Sequence, residues 1–334
     1  MLWFSYSYHY KNLLIKSVFF PYKFIDRFYI QTQDCSNLHL SIREKKMNIA
    51  AQSLQRIVRR NVIIPFDKNK KFTFYYEENS VVTSLFVVLS AMFPPGEMFF
   101  IESVRNVRDQ ITDEKLLDDI RNFIAQEAFH SREHQSLNEH LIQSDYPEVV
   151  EIEAKTKAKL DEFRKLPKVE QLAATVVMEH YTATLARLLL TDPLIKQRTT
   201  QESRNLWEWH ALEELEHKSV AFDVLNAIGG NTAKNRRMAL TRVTKLLSPV
   251  LFHYWIKILK RSDIKFSIRE LKDGVYLGFG GINRIGIITK AMIEMLDVRD
   301  RDFNPLHMQT DQLEAEYREK LFGENGILKA VVKS

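Results

Sequence analysis

The chain is poor in the residues that interrupt helices, with ten glycines and nine prolines among 334 residues. That scarcity argues against turn-rich β architectures and Gly/Pro-rich disordered chains, and for an all-α protein. Cysteine is scarcer still. The single one, Cys35, leaves everything from Met47 onward without a thiol. Disulfides, thiolate metal ligands and cysteine nucleophiles are thereby excluded from the main body, and the usage fits a reducing, cytoplasmic setting. No run of eighteen apolar residues occurs, so no helix is expected to span a membrane. The most apolar stretches, 81–94 and 250–259, read as buried core helices.

An excess of charge of one sign is also missing from the body. The formal net charge is +5, but residues 1–46 hold seven Lys or Arg against three Asp or Glu, while the remainder holds 41 against 40. A nucleic-acid or acidic-membrane partner therefore loses its electrostatic support. The same first 46 residues carry eleven aromatic side chains, show no amphipathic period and lack the layout of a secretory signal. They are expected to be an atypical extension outside the core, with Met47 as the natural start and residues 47–334 as a single all-helical domain.

What is plentiful is the Leu, Ala, Glu, Lys and Arg mixture of amphipathic helices. The spacing predicts a helix over about 81–107, kinked or restarted at Pro94-Pro95-Gly96 just before Glu97. A second is capped by Thr112 or Asp113 and reaches about Gln143. A connecting helix covers 147–163. A third bundle helix opens at Pro167 and reaches Leu190. A fourth runs from Gln201 to Ile228, where Gly229-Gly230 stops it. Further helices are expected over 232–260, 267–295 and 308–322.

Two Glu-x-x-His pairs lie on these helices: Glu127 with His130, and Glu214 with His217. Residues three apart share a helix face, so each pair aims a carboxylate and an imidazole at one point. His134 falls with Glu127 and His130 inside an arc of about 60°, and His210 does the same with Glu214 and His217. One such pair is common and usually solvated. Two, with further glutamates on two apolar helices (Glu97 and Glu179), form the donor set of a di-metal carboxylate site in a four-helix bundle. Glu97 and Glu179 are flanked by apolar residues, and a buried carboxylate needs a partner that a cation supplies. His140 and His180 read as non-ligands, and Glu133, Glu213 and Glu216 as surface carboxylates or as groups that orient imidazoles. Carboxylates and imidazoles without thiolate suit two ions of Fe or Mn, and also accept Zn.

The segments 83–105 (TSLFVVLSAMFPPGEMFFIESVR), 123–134 (FIAQEAFHSREH), 179–185 (EHYTATL) and 206–224 (LWEWHALEELEHKSVAFDV) resemble the bacterial predicted metal-dependent hydrolases. That family is placed near the ferritin-like superfamily, and the resemblance covers about residues 56–305. It implies a ferritin-like four-helix bundle with additional C-terminal helices. The ligand order is also similar to that of the di-iron N-oxygenases of aryl amines, which have one extra histidine four residues before the last Glu-x-x-His. On that resemblance the ligand set is Glu97, Glu127, His130, Glu179, His210, Glu214 and His217, with His134 as a further candidate.

Three functions compete. The first is a di-iron oxygenase or oxidase that activates O2 against a small organic substrate, fed by an electron donor, with Tyr181 as a candidate redox or gating neighbour. The second is a hydrolase using a metal-bridging hydroxide. The third is a non-catalytic metal-binding bundle. A homodimer is expected in any of these. The aromatic residues of the C-terminal helices (Phe252, Tyr254, Trp255, Tyr276, Phe279, with Met292) read as core or as the lining of an apolar substrate cavity.

Overall fold

The structure, a computed structural model, describes residues 57–66 and 78–333. The expectations for residues 1–46 and for Met47 lie outside the described residues. The described chain is all-α apart from two short strand pairs.

Helix α1 (Ser80–Arg105) starts at Asn79, whose side chain accepts from the N–H groups of Val81 and Val82. It then runs unbroken through Pro94 and Pro95, against the expectation of a restart. Proline 94 has no N–H for the Ser90 carbonyl, and that carbonyl instead accepts from the Asn138 amide at 3.2 Å. A side chain from a neighbouring helix thus replaces the missing backbone donor. Helix α1 is long and apolar enough by length and composition to cross a membrane, but two-thirds of its most apolar stretch is buried inside the molecule.

Asp113 caps α2 (Glu114–Gln143). Helix α3 (Glu148–Arg164) is the expected connection, and α4 (Lys168–Thr191) follows Pro167, which stands at the cap rather than in the first turn. A short α5 (Pro193–Arg198) leads into α6 (Gln201–His217).

The fourth expected helix is two helices. It breaks directly after His217, and α7 (Val220–Ala227) follows. Neither glycine nor proline marks the break. Lys218 is buried, and its ammonium donates to the Leu215 carbonyl at 2.8 Å and to Glu314 at 2.9 Å. In a continued helix the Leu215 carbonyl would accept from the Ser219 N–H. Gly229, at φ 68°, ends α7 as expected.

Helix α8 (Ala233–Leu259) matches its expectation. The expected helix over 267–295 is instead α9 (Ile268–Gly278), a hairpin of β2 (Gly280–Gly281) with β3 (Arg284–Ile285), and α10 (Ile287–Glu294). Half of the chain's ten glycines lie between 274 and 286. Gly280 sits at φ 93°, where an added Cβ would be 2.1 Å from the Arg284 carbonyl. After α11 (Asp311–Phe322), β4 (Val332–Lys333) pairs antiparallel with β1 (Asn61–Val62). That pairing ties residues 57–66 to the far end of the described chain.

The core consists of two hydrophobic clusters. Helix α1 contributes Val81 to Ala91 to the first and Phe99 to Val104 to the second, with Glu97 between. Helix α2 gives Ile120 and Phe123 to the second and Leu137 and Leu141 to the first. Helix α4 runs the same way as α2, from Leu172 in the second cluster to Leu190 in the first. The α6–α7 segment runs back, from Leu206 in the first to Leu225 in the second. Helix α3 is the crossover that returns the chain along the bundle, from Val149 to Phe163. Helices α1, α2 and α4 and the α6–α7 segment each cross from one cluster to the other, and each places its carboxylate at the crossing.

Candidate metal centre

Glu97, Glu127, His130, His134, Glu179, His210, Glu214 and His217 are all buried, none more than 3% exposed. The structure brings seven of them together. Donor atoms of Glu97, His130 and His210 lie within 4.8 Å of one another, as do those of Glu127, Glu179 and His217, and those of Glu127, His130 and Glu214. The Glu214 carboxylate reaches across: its Oε1 is 2.9 Å from His210 Nε2, 3.6 Å from His130 Nδ1 and 3.6 Å from His217 Nε2. His217 Nε2 is also 3.1 Å from Glu127 Oε1 and 3.4 Å from Glu179 Oε2.

Apart from the His210 Nε2–Glu214 Oε1 hydrogen bond, these atoms meet without hydrogen bonding. Both oxygens of Glu97, Glu127 and Glu179, together with Glu214 Oε2, His130 Nδ1 and His217 Nε2, make no hydrogen bond. Buried polar atoms are ordinarily satisfied, and nine orphans pointing at one centre is the pattern of a cation site. Four carboxylates also match the charge of two divalent ions. One position could be held by Glu97, His130 and His210, the other by Glu179 and His217, with Glu127 and Glu214 between.

The electrostatics are strained without a cation. Burial, followed by the neighbouring carboxylates, pushes Glu97, Glu127 and Glu179 well above the usual carboxylate range. Glu214 escapes: burial would raise it, but His217 and His210 hold it well below. Burial would lower His217, but Glu214 and Glu179 raise it to about 9. Burial and then His210 push His130 and His134 well below the usual imidazole range.

Each of the three histidines that face the centre is oriented through its other nitrogen, an arrangement common among imidazoles at metal sites. His130 Nε2 bonds Glu213 at 3.1 Å, leaving Nδ1 toward the centre. His217 Nδ1 donates to the Gln126 side-chain carbonyl at 3.0 Å, since the Gln126 amide already donates to the Val58 carbonyl. His210 is set by a longer relay. The Asn138 amide donates to Glu153 and to the Ser90 carbonyl, so its oxygen accepts from the Ser90 hydroxyl at 2.8 Å. Ser90 Oγ must then accept from His134 Nδ1 at 2.9 Å, which leaves His134 Nε2 to accept from His210 Nδ1 at 2.7 Å. That direction leaves His210 Nε2 to face Glu97 and Glu214, where in the metal-free protein it bonds Glu214 Oε1 at 2.9 Å. His134 therefore stands behind His210 and does not reach the centre itself.

Glu213 and Glu216 are buried rather than on the surface. Arg60 bonds both, at 3.0 and 2.7 Å, and Arg318 adds a bond to Glu216 at 2.8 Å. Burial pushes Glu213 up to about 8 against the opposing pull of Arg60. Glu133 accepts from the Ile64 N–H at 2.7 Å and pairs with Arg132. His180 Nε2 donates to the Glu294 backbone carbonyl at 3.0 Å, and His140 stacks on Phe66; neither joins the site. Sequence reasoning missed Arg60, Ser90, Gln126 and Asn138. The last three share the inward arc of their helices with a ligand, a signal that was present; Arg60 arrives only through the strand pairing.

A cavity lies between α1, α4 and α6. Its lining includes His210, Glu214, Tyr181 and Thr182, and is otherwise Leu, Ile, Phe, Ala and Trp207. The aromatic residues expected from the C-terminal helices do not line it; those helices contribute Leu251, Ile287 and Ile288, while Tyr254 and Trp255 pack in the core, Trp255 donating to the Val81 carbonyl.

No curated protein and no solved structure matches the chain. The model of one family, described as predicted metal-dependent hydrolase, matches residues 58–309, a span that contains all four site helices. The chain belongs to the predicted metal-dependent hydrolase family.

Proposed function

We propose that the protein is a two-metal hydrolase whose ions are held by Glu97, Glu127, His130, Glu179, His210, Glu214 and His217. The observation that carries this reading is the convergence of orphaned carboxylate and imidazole atoms in a dry layer of the bundle. Family membership supports hydrolysis as the reaction. Two divalent ions in such a set would acidify a bound water and polarise the oxygen of a carbonyl or phosphoryl group.

The chain's own residues supply the rest. Glu213, Gln126 and the Asn138–Ser90–His134 relay fix the tautomers of the three ligand imidazoles. Phe93 and Trp207 pack on His134, and Phe93 also packs on His210, which keeps that side of the site dry. Burial raises Tyr181 to about 12. A phenol that remains protonated can donate a hydrogen bond to a substrate oxygen but does not serve as a base at neutral pH.

The oxygenase reading keeps one observation in its favour: a carboxylate-rich set with the additional His210 beside an apolar cavity. Loading the metal-free protein with Zn under anaerobic conditions separates the two. Ester or amide hydrolysis by the Zn form, without O2, is the expected result. Turnover that requires both Fe and O2 would replace hydrolysis by oxygenation.

A further inference from the structure

We propose, building on the hydrolase reading, that the substrate is an ester of a medium-length hydrocarbon chain, and that the chain lies in the cavity between α1, α4 and α6. The lining has a direction. At one end stand Phe93, Tyr181, Thr182, His210 and Glu214, beside the ligand layer. From there the walls run along α1 to Leu85, along α4 to Leu189, and close with Ile195. Eight residues of helix cover about 12 Å, so the space is elongated along the bundle axis.

No lysine or arginine lines this cavity, and its only ionisable carboxylate, Glu214, belongs to the ligand layer. A charged or strongly polar substrate body would lose its hydration with nothing to replace it. A chain of methylenes loses nothing and gains with every group buried. Charged side chains begin only in a second, smaller cavity beyond Phe86, Leu189, Ile195 and Trp207, where Lys196, Arg204 and Glu208 stand. Ala186 and Ala211 are the small residues of the main wall. The reaction is then ordinary ester hydrolysis. The acyl carbon–oxygen bond breaks, the oxygen of water bonds the acyl carbon, one proton goes to the leaving alcohol and one to solvent with the carboxylate product.

Two readouts test this on the full chain as purified with its metals. The first is displacement of the neutral fluorophore N-phenyl-1-naphthylamine by decanol, which reads the cavity without any turnover. Saturable, one-to-one displacement is expected, weakened at least tenfold in Ala186→Phe and in Leu189→Trp, both distant from the ligands. Two variants are used so that misfolding of one leaves the test intact; helical content by circular dichroism identifies the sound one. The second is the rate on 4-nitrophenyl esters, where kcat/KM should rise at least tenfold from acetate to octanoate in the parent and stay flat in the folded variant. Decanol that fails to displace the probe, or displaces it equally from parent and folded variants, overturns the chain pocket, even if acetate is hydrolysed. Displacement that obeys the variants while no ester is cleaved supports the pocket and removes the hydrolase reading instead.

Discussion

At His210 the difference between a packed histidine and a ligand is decided by one hydrogen. The Asn138 side chain can present only its oxygen to the Ser90 hydroxyl, and each following bond to His134 and His210 inherits that polarity. His134→Ala should therefore weaken metal binding by about 10- to 100-fold, with two ions still bound at saturating metal. His210→Ala should lower occupancy at one position even at saturation. Chelator competition and metal analysis distinguish them, and parental affinity in His134→Ala would remove the relay from the site. Glu179 makes a complementary case. Its burial without a hydrogen bond, with only His217 nearby at 3.4 Å, opposes folding unless a cation is present. Glu179→Gln should leave the metal-free protein as stable as the parent, or more stable by about 1–3 kcal/mol, and should lose much of the stabilisation conferred by metal. Thermal unfolding with and without metal measures both; a variant stabilised by metal as strongly as the parent would exclude Glu179 from the ligand set.

Among the elements, α6 and α1 show opposite failures of local signals. Helix α6 ends at His217 with no glycine or proline, because the Lys218 ammonium takes the Leu215 carbonyl and is held by Glu314 of α11. Helix α1 continues through two prolines because Asn138 of α2 serves the carbonyl that Pro94 leaves open. Lys218→Ala leaves Glu314 buried, with Thr310 and the half-exposed Arg318 nearby, and should cost about 3–5 kcal/mol in urea unfolding. Pairing it with Glu314→Ala should restore a large part of that loss. A double variant as unstable as the sum of the single ones would show that the ion pair does not set the break. Both cases explain why helix existence was legible in the sequence and helix boundaries were not: the deciding partners, Asn138 and Glu314, are 48 and 96 residues away in the chain, measured from Ser90 and Lys218 respectively.

Across the whole molecule, a polar layer divides the bundle into two hydrophobic clusters, and its protonation is tied to metal. Without a cation, Glu97, Glu127 and Glu179 keep their protons well above the ordinary value of 4.5, and His217 keeps its own to about 9. These four groups hold more protons in the folded metal-free protein than in the unfolded chain, so their contribution to stability falls as pH rises, while His130, His134 and Glu214, held low, act in the opposite sense below the ordinary imidazole value. Metal binding must expel those protons, so affinity should fall on acidification and each binding event should release protons. Titration calorimetry in buffers of different ionisation enthalpy measures the release, and melting of the metal-free protein from pH 7 to 9, above the range where His130 and His134 act in the opposite sense, measures the declining stability. An apparent affinity independent of pH would contradict the layer as described. The all-α class, the helices that carry the site and the shared face of each Glu-x-x-His pair were determined by the sequence alone, because helical period and the scarcity of glycine and proline are local properties. Only the tertiary structure decided that seven donors meet at one centre, that His134 stands behind His210, that Arg60 reaches Glu213, and that the cavity is built from Leu, Ile and Phe of helices distant in sequence. Those outcomes depend on which faces of separate helices are pressed together, and burial between two apolar clusters, a property of the whole bundle, is what leaves most of the carboxylate oxygens without a hydrogen bond.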